Sequence, residues 1–193
     1  MRIVVAAFVV GALVSIAMGE DMQHQTWALT TIDSIPSSDD LALATLVVPD
    51  DLIQIASNSD GTREPAVRLR AIRGLAVYCT TPGNTCPSTV HDTLETLIQT
   101  YASAHSGSDL LLLRAAIESD GPLKVPDDLA LLGPLLDHPS RDIRATTARA
   151  LAQLKNCQAI TALRQRYQNE STDQVKLAIS EALRILSQPS SCQ

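Results

Sequence analysis

His91, Asp92 and Glu95 come closer to a metal-ligand set than any other short segment of this sequence. On a helix His91 and Glu95 would share a face at i,i+4. Two ligands on one helix rarely hold a metal without a third group, so the trio reads as a solvated helix face. No His-Glu-x-x-His occurs, which removes the usual zinc-hydrolase pattern. His105-Ser106-Gly107-Ser108-Asp109 contains the residue types of a serine triad. Adjacent residues cannot converge as a triad must. Gly107 instead marks a turn, with Ser108 or Asp109 capping the helix that follows. The glycines form no Gly-x-x-x-x-Gly-Lys, so no phosphate cradle is expected. The pairs Asp50/Asp51 and Asp127/Asp128 suggest calcium at first sight. A calcium loop spaces its acids by two, however. Adjacent acids on a first helical turn splay apart and favour the positive end of the helix dipole. The expectation is a non-enzyme with no catalytic residue, no cofactor and no metal.

Two other sets are better placed. Arg63, Arg68, Arg70 and Arg73 crowd one short stretch of a chain whose formal net charge is -6. A solvated face accounts for most such runs; the sharper reading is a basic strip for an acidic partner. Cys79, Cys86, Cys157 and Cys192 form an even set without Cys-x-x-Cys. In an exported chain that pattern reads as two disulfides. Cys79 and Cys86 bracket a turn-rich segment with Pro82-Gly83 and are expected to pair locally.

Export itself is read from the first residues. Arg2 precedes an apolar run from Ile3 to Ile16 in which Ser15 is the lone polar residue, and Ala17 and Gly19 supply the small residues of a cleavage site. The run stops short of the roughly 20 residues a spanning helix needs. Residues 1–19 are therefore expected to be a signal peptide, with a periplasmic or extracellular destination and no membrane association after cleavage. The acidic balance argues against a nucleic-acid partner. Few aromatics beside abundant Leu, Ala, Ile and Val suit packed helices better than a sheet sandwich.

The elements that position these residues are repeated. Val67-Arg68, Ile143-Arg144 and Val175-Lys176 each open the same pattern: branched aliphatic, basic residue, later a small residue, then Leu75, Leu151 or Leu183. A weaker copy begins at Leu113-Arg114. Independently, Val48-Pro49-Asp50-Asp51-Leu52 recurs as Val125-Pro126-Asp127-Asp128-Leu129. Each unit reads as a helix opened by Pro-Asp-Asp, with Pro at the first helical position, then a polar turn and a second helix carrying the Val-Arg motif. Ile160, Leu163 and Tyr167 make one apolar stripe of the last unit. Val175, Ile179, Ala182, Leu183 and Leu186 make the other, with Thr172 as N-cap and Ser140 in the same place one unit earlier. Leu110 to Ile117 is apolar on nearly every side and is expected to lie between neighbours.

These features predict an all-α protein: an α-solenoid of about four antiparallel helix pairs, near 49–80, 88–120, 126–156 and 157–188. A short capping helix over 38–47 begins the repeat domain of 38–189, after a flexible lead of 20–37 in which Trp27 docks on the first helices. Residues 190–193 form a tail. In an antiparallel pair the start of the first helix and the end of the second share one end, so Cys157 and Cys192 are expected to meet. Arg73 and Arg149 hold equivalent register, and the fourth unit places Glu181 there. Arg70, Arg73 and Arg149 are the expected partner-binding residues.

The segment 137–186 resembles the short HEAT-like repeats of phycobilisome lyases. The residues that carry the resemblance are Ile143-Arg144, Ala148, Ala150-Leu151, Leu154, Asn156, Ala159-Ile160, Leu163, Val175-Lys176 and Ala182-Leu183. It implies a HEAT-like superhelix, a habit of binding proteins, and bracing roles for Arg68, Arg144 and Lys176. Helical-repeat enzymes similar to deoxyhypusine hydroxylase hold two irons on His-Glu pairs, and this sequence has no His-Glu dipeptide. The expected function is an exported, non-catalytic scaffold for a protein or peptide partner. Its alternatives are a lyase-like or enzyme-assisting protein, or a structural subunit of an envelope assembly.

Overall fold

Apolar spacing sets the helices, and prolines and glycines divide them. The structure is a computed structural model that describes residues 49–58 and 64–188. Eight α-helices are found among the described residues: α1 (Asp50–Ser57), α2 (Pro65–Thr80), α3 (Ser88–Tyr101), α4 (Gly107–Asp120), α5 (Asp128–Leu132), α6 (Arg141–Leu154), α7 (Ala159–Asn169) and α8 (Asp173–Leu186). Two 3-10 turns, Gly121–Leu123 and Gly133–Asp137, adjoin α4 and α5. No strand occurs among the described residues, and none of the helices there is long and apolar enough to cross a membrane. The expected signal peptide 1–19, the expected lead with Trp27 and capping helix over 38–47, Arg63, and the expected tail with Cys192 lie outside the described residues.

The helices pack as two layers. The second helices α2, α4, α6 and α8 stack in order, each against the next, while α1, α3, α5 and α7 cover them from one side. This is the expected α-solenoid. Each helix in the first layer buries one stripe, as with Val90, Leu94, Leu97 and Ile98 on α3. The central second helices are covered more fully. On α4, Leu112, Leu113, Ala115, Ala116 and Ile117 are all buried because α2, α3 and α6 press on it from different sides. Leu111 and Tyr167, both counted as apolar core in the sequence, are instead exposed. Gly121 is required where α4 ends, since a Cβ there would stand 2.8 Å from the Ala150 Cα on α6. That close approach draws Asp120 down into the interior.

Helix starts differ from expectation in instructive ways. Pro49 is the residue before α1, and α5 begins only at Asp128 with Asp127 before it, so neither proline takes the first helical position. The first helix of the third unit is cut to five residues and continues as a 3-10 turn. Pro134 supplies no backbone N–H and its ring disfavours α geometry in the preceding turn. Ser106, and neither Ser108 nor Asp109, precedes α4, with Gly107 at φ 70. Ser140 and Thr172 do precede α6 and α8, yet their hydroxyls make no capping bond. The residue two places earlier instead accepts from the cap residue's own N–H. His138 Nδ1 accepts from the Ser140 N–H at 3.0 Å, and Glu170 Oε1 accepts from the Thr172 N–H at 2.9 Å.

Basic residues brace the layers. Arg68 Nε and Nη2 donate to the Ala56 carbonyl at 3.1 and 3.0 Å, closing the end of α1, and Nη2 also reaches the Tyr101 hydroxyl of the next unit at 3.1 Å. Arg144 Nη1 donates to the carbonyls of His138 and Pro139 at 2.9 and 2.8 Å. Lys176, expected to do likewise, makes no side-chain hydrogen bond among the described residues. An ammonium is a single point donor and lacks the planar fork that lets arginine hold two acceptors at once. Cys79 and Cys86 are joined, with Cα atoms 4.6 Å apart. Cys157 is also disulfide-bonded; Cys192, its expected partner, lies outside the described residues.

Candidate functional site

The structure does not bring Arg70, Arg73 and Arg149 together. Arg68 points inward as a brace. Arg73 Nη2 donates to Glu118 Oε2 on α4 at 2.9 Å, and Arg114 Nε holds the other oxygen of the same carboxylate at 2.8 Å. Arg70 is half-buried and has an interaction of its own. The strip expected on the first unit is therefore spent largely on ties within and between helix pairs. Of these three, Arg149 stands exposed on α6, with no ion pair among the described residues.

Arg149 borders a groove of about 580 Å³ on the second-helix layer. Ala152 on α6 and Ala178, Ala182 and Ile185 on α8 give it an apolar floor. Lys124 and Lys155 join Arg149 as cations in the wall, and Glu181 is the lone acid. Glu181 is already engaged by Arg184, whose Nη2 stands 2.6 Å from its Oε1. Neither lysine has an ion pair among the described residues, so the groove carries uncompensated positive charge. Both lysines sit in the left-handed region, at φ 57, where they end the 3-10 turn after α4 and helix α6. Sequence reading missed them because each lies just beyond a helical element, where no periodicity marks which way a side chain faces.

A second cluster lies between units two and three. His91 in the first turn of α3 does not stand on a solvated face, contrary to the sequence reading. Its Nε2 is 2.7 Å from Asp128 Oδ1 at the start of α5, and Asp120 at the end of α4 is the third member. One donor atom from each residue lies within 4.8 Å of the others. Asp120 is 0% exposed and Asp128 3%. Among the described residues no donor reaches either Asp120 oxygen or Asp128 Oδ2 when both carboxyls are ionised; a protonated Asp120 carboxyl donates to Asp128. Burial, with the Asp128 charge beside it, pushes the Asp120 carboxyl up to about 7. Burial raises Asp128 too, despite the opposing pull of His91. Burial would lower His91, but its bond to Asp128 and the surrounding carboxylates raise it overall. Asp128, expected to serve the helix dipole, instead faces inward at the start of α5, which begins two residues later than expected.

A third charged group is complete in itself. Glu170 accepts from Arg144 at 2.7 and 3.0 Å and from Arg166 at 2.8 Å, and Arg166 also reaches Asp137 at 3.0 Å. The Arg144 bonds, followed by those from Arg166 and the Thr172 N–H, hold Glu170 far below the usual carboxylate range despite its burial.

Residues 102–184 match the family described as HEAT repeats. The match spans α4 to most of α8, the same stretch over which the helix pairs stack. No curated protein and no solved structure matches the chain.

Proposed function

We propose that this chain is an exported, non-catalytic scaffold of short, phycobilisome-lyase-type HEAT repeats. Its second-helix layer binds a protein partner through an acidic segment that also carries apolar side chains. The observation that carries this reading is the groove between α6 and α8, where Lys124, Arg149 and Lys155 have no ion pair among the described residues and stand over an aliphatic floor. Helical solenoids present extended surfaces of this kind to partners. Unpaired cations steer an anionic segment and select its charge, while apolar contact supplies the holding energy. The apolar leader 3–16 and the Cys79–Cys86 bridge support export, because disulfides persist in oxidising compartments.

The test is fluorescence anisotropy with a labelled peptide of alternating Glu and Leu, titrated with protein lacking residues 1–19. Binding is expected to weaken as salt rises from about 50 to 300 mM. Replacing Arg149 and Lys155 together by Glu should weaken it at least about tenfold, equivalent to about 1.4 kcal/mol. Equal affinity for a Lys/Leu peptide, or binding indifferent to the double replacement, would overturn the reading.

A further inference from the structure

We propose that His91, Asp120 and Asp128 form a binding site for one divalent transition-metal cation of the zinc class, clamping the second repeat unit to the third. The placement carries this independently of the groove. Three donors from three elements, the first turn of α3, the last residue of α4 and the first of α5, converge within 4.8 Å. Asp120 is fully buried, and among the described residues no donor reaches either of its oxygens or Asp128 Oδ2. Buried carboxylates lacking hydrogen bonds or counter-charge are costly. Among the three residues of this cluster the basic group is the His91 imidazole. Once both carboxyls are ionised, even an imidazolium leaves one negative charge uncompensated. A divalent cation that displaces the imidazolium proton leaves none.

The donor set also selects the cation. One imidazole nitrogen with two carboxylate oxygens suits zinc and its transition-metal neighbours. Calcium asks for six to eight oxygens and magnesium for near-octahedral, largely hydrated coordination, and this pocket supplies neither. His91 Nε2 and Asp128 Oδ1 now stand at a hydrogen-bond distance of 2.7 Å. Donors about a tetrahedral zinc stand roughly 3.3 Å apart for bonds of about 2.0 Å, so Asp128 would turn its free Oδ2 to the metal or the imidazole would tilt slightly. Asp92 Oδ1 lies 3.9 Å from the other ring nitrogen of His91, on the outer side, where outer-shell carboxylates orient ligating imidazoles. Glu95 lies one turn along α3 and its charge acts on all three residues; a water can complete the coordination.

Isothermal titration of the chelator-treated protein with zinc chloride, and separately with magnesium and calcium chloride, tests the proposal. The expected result is one zinc per chain, a melting temperature that rises with zinc concentration, and no response to the other two. Asp120→Asn and His91→Gln should each lose binding by at least about 30-fold, or about 2 kcal/mol, with the helical circular dichroism retained. Asp120→Asn should melt no lower than the metal-free wild type, since it removes a buried charge without a partner; this keeps the loss of binding separate from misfolding. Absence of one-to-one zinc binding in the wild type would overturn the proposal in favour of two carboxyls sharing a proton. Zinc binding that survives Asp120→Asn would place the metal on other histidines and overturn it equally.

Discussion

Two clusters of buried charge, one at the junction of units two and three and one between units three and four, have been solved in opposite ways. Around Glu170, two guanidiniums face two carboxylates, and each oxygen of Glu170 accepts at least two hydrogen bonds. Around Asp120, two buried carboxylates face one imidazole and three oxygens accept none. The first arrangement is complete with protein groups alone; the second has donor capacity left over. Burial is similar in both, so burial does not distinguish a brace from a site. What distinguishes them is whether charge and hydrogen bonding close within the protein. Arg144 closes its cluster because guanidinium presents five donors in a plane. No arginine among the described residues reaches Asp120.

The largest effect expected from this contrast is at Glu170. Glu170→Ala strands two partly buried guanidiniums and the N–H groups of Ser171 and Thr172, and should cost about 3–5 kcal/mol in urea unfolding. A loss below about 1 kcal/mol would mean that the cluster is not the brace described. The same group sets an acid limit. Its carboxyl is held below its unfolded value of about 4.3, so its contribution is fully present above that pH and is lost as pH falls toward the folded-state value. Melting temperature should therefore drop between about pH 4.5 and 2.5 in the wild type, with a shallower slope in Glu170→Gln.

Asp120 should respond with the opposite sign and a smaller size. In metal-free protein at pH 7.5, Asp120→Asn relieves an unpartnered buried carboxylate and should raise stability by about 1–2 kcal/mol. Destabilisation by as much as Glu170→Ala would show the two clusters to be alike. The smallest effects belong to the groove. Lys124→Gly and Lys155→Gly exchange left-handed strain for a looser unfolded chain, so stability should change by less than about 1 kcal/mol. Affinity for the acidic peptide should nevertheless fall. A large loss of stability at either lysine would make it a structural cap.

The sequence by itself determined the class of fold. The Val-Arg and Ile-Arg copies and the 3.6-residue stripes specify paired helices, and a unit with one apolar face must stack on another to bury it. The short reach between Cys79 and Cys86 was legible too, because only a turn separates them. The bracing of Arg68 and Arg144 followed from the family resemblance. Which residues converge across units was not legible. Val-Pro-Asp-Asp-Leu occurs twice, yet Asp50 is exposed and Asp51 half-buried in one copy, while in the other Asp128 lies 3% exposed against His91. Five identical residues cannot encode that difference. It arises from Gly121 letting α4 approach α6, from Pro134 shortening α5, and from α3 setting His91 beside the start of α5. Lys124 and Lys155 likewise gain their place in the groove only when α6 and α8 stack. Local propensity acts within a few residues and decides helix or turn; charge and donor balance at a point depends on side chains from separate units, which only tertiary packing brings within reach.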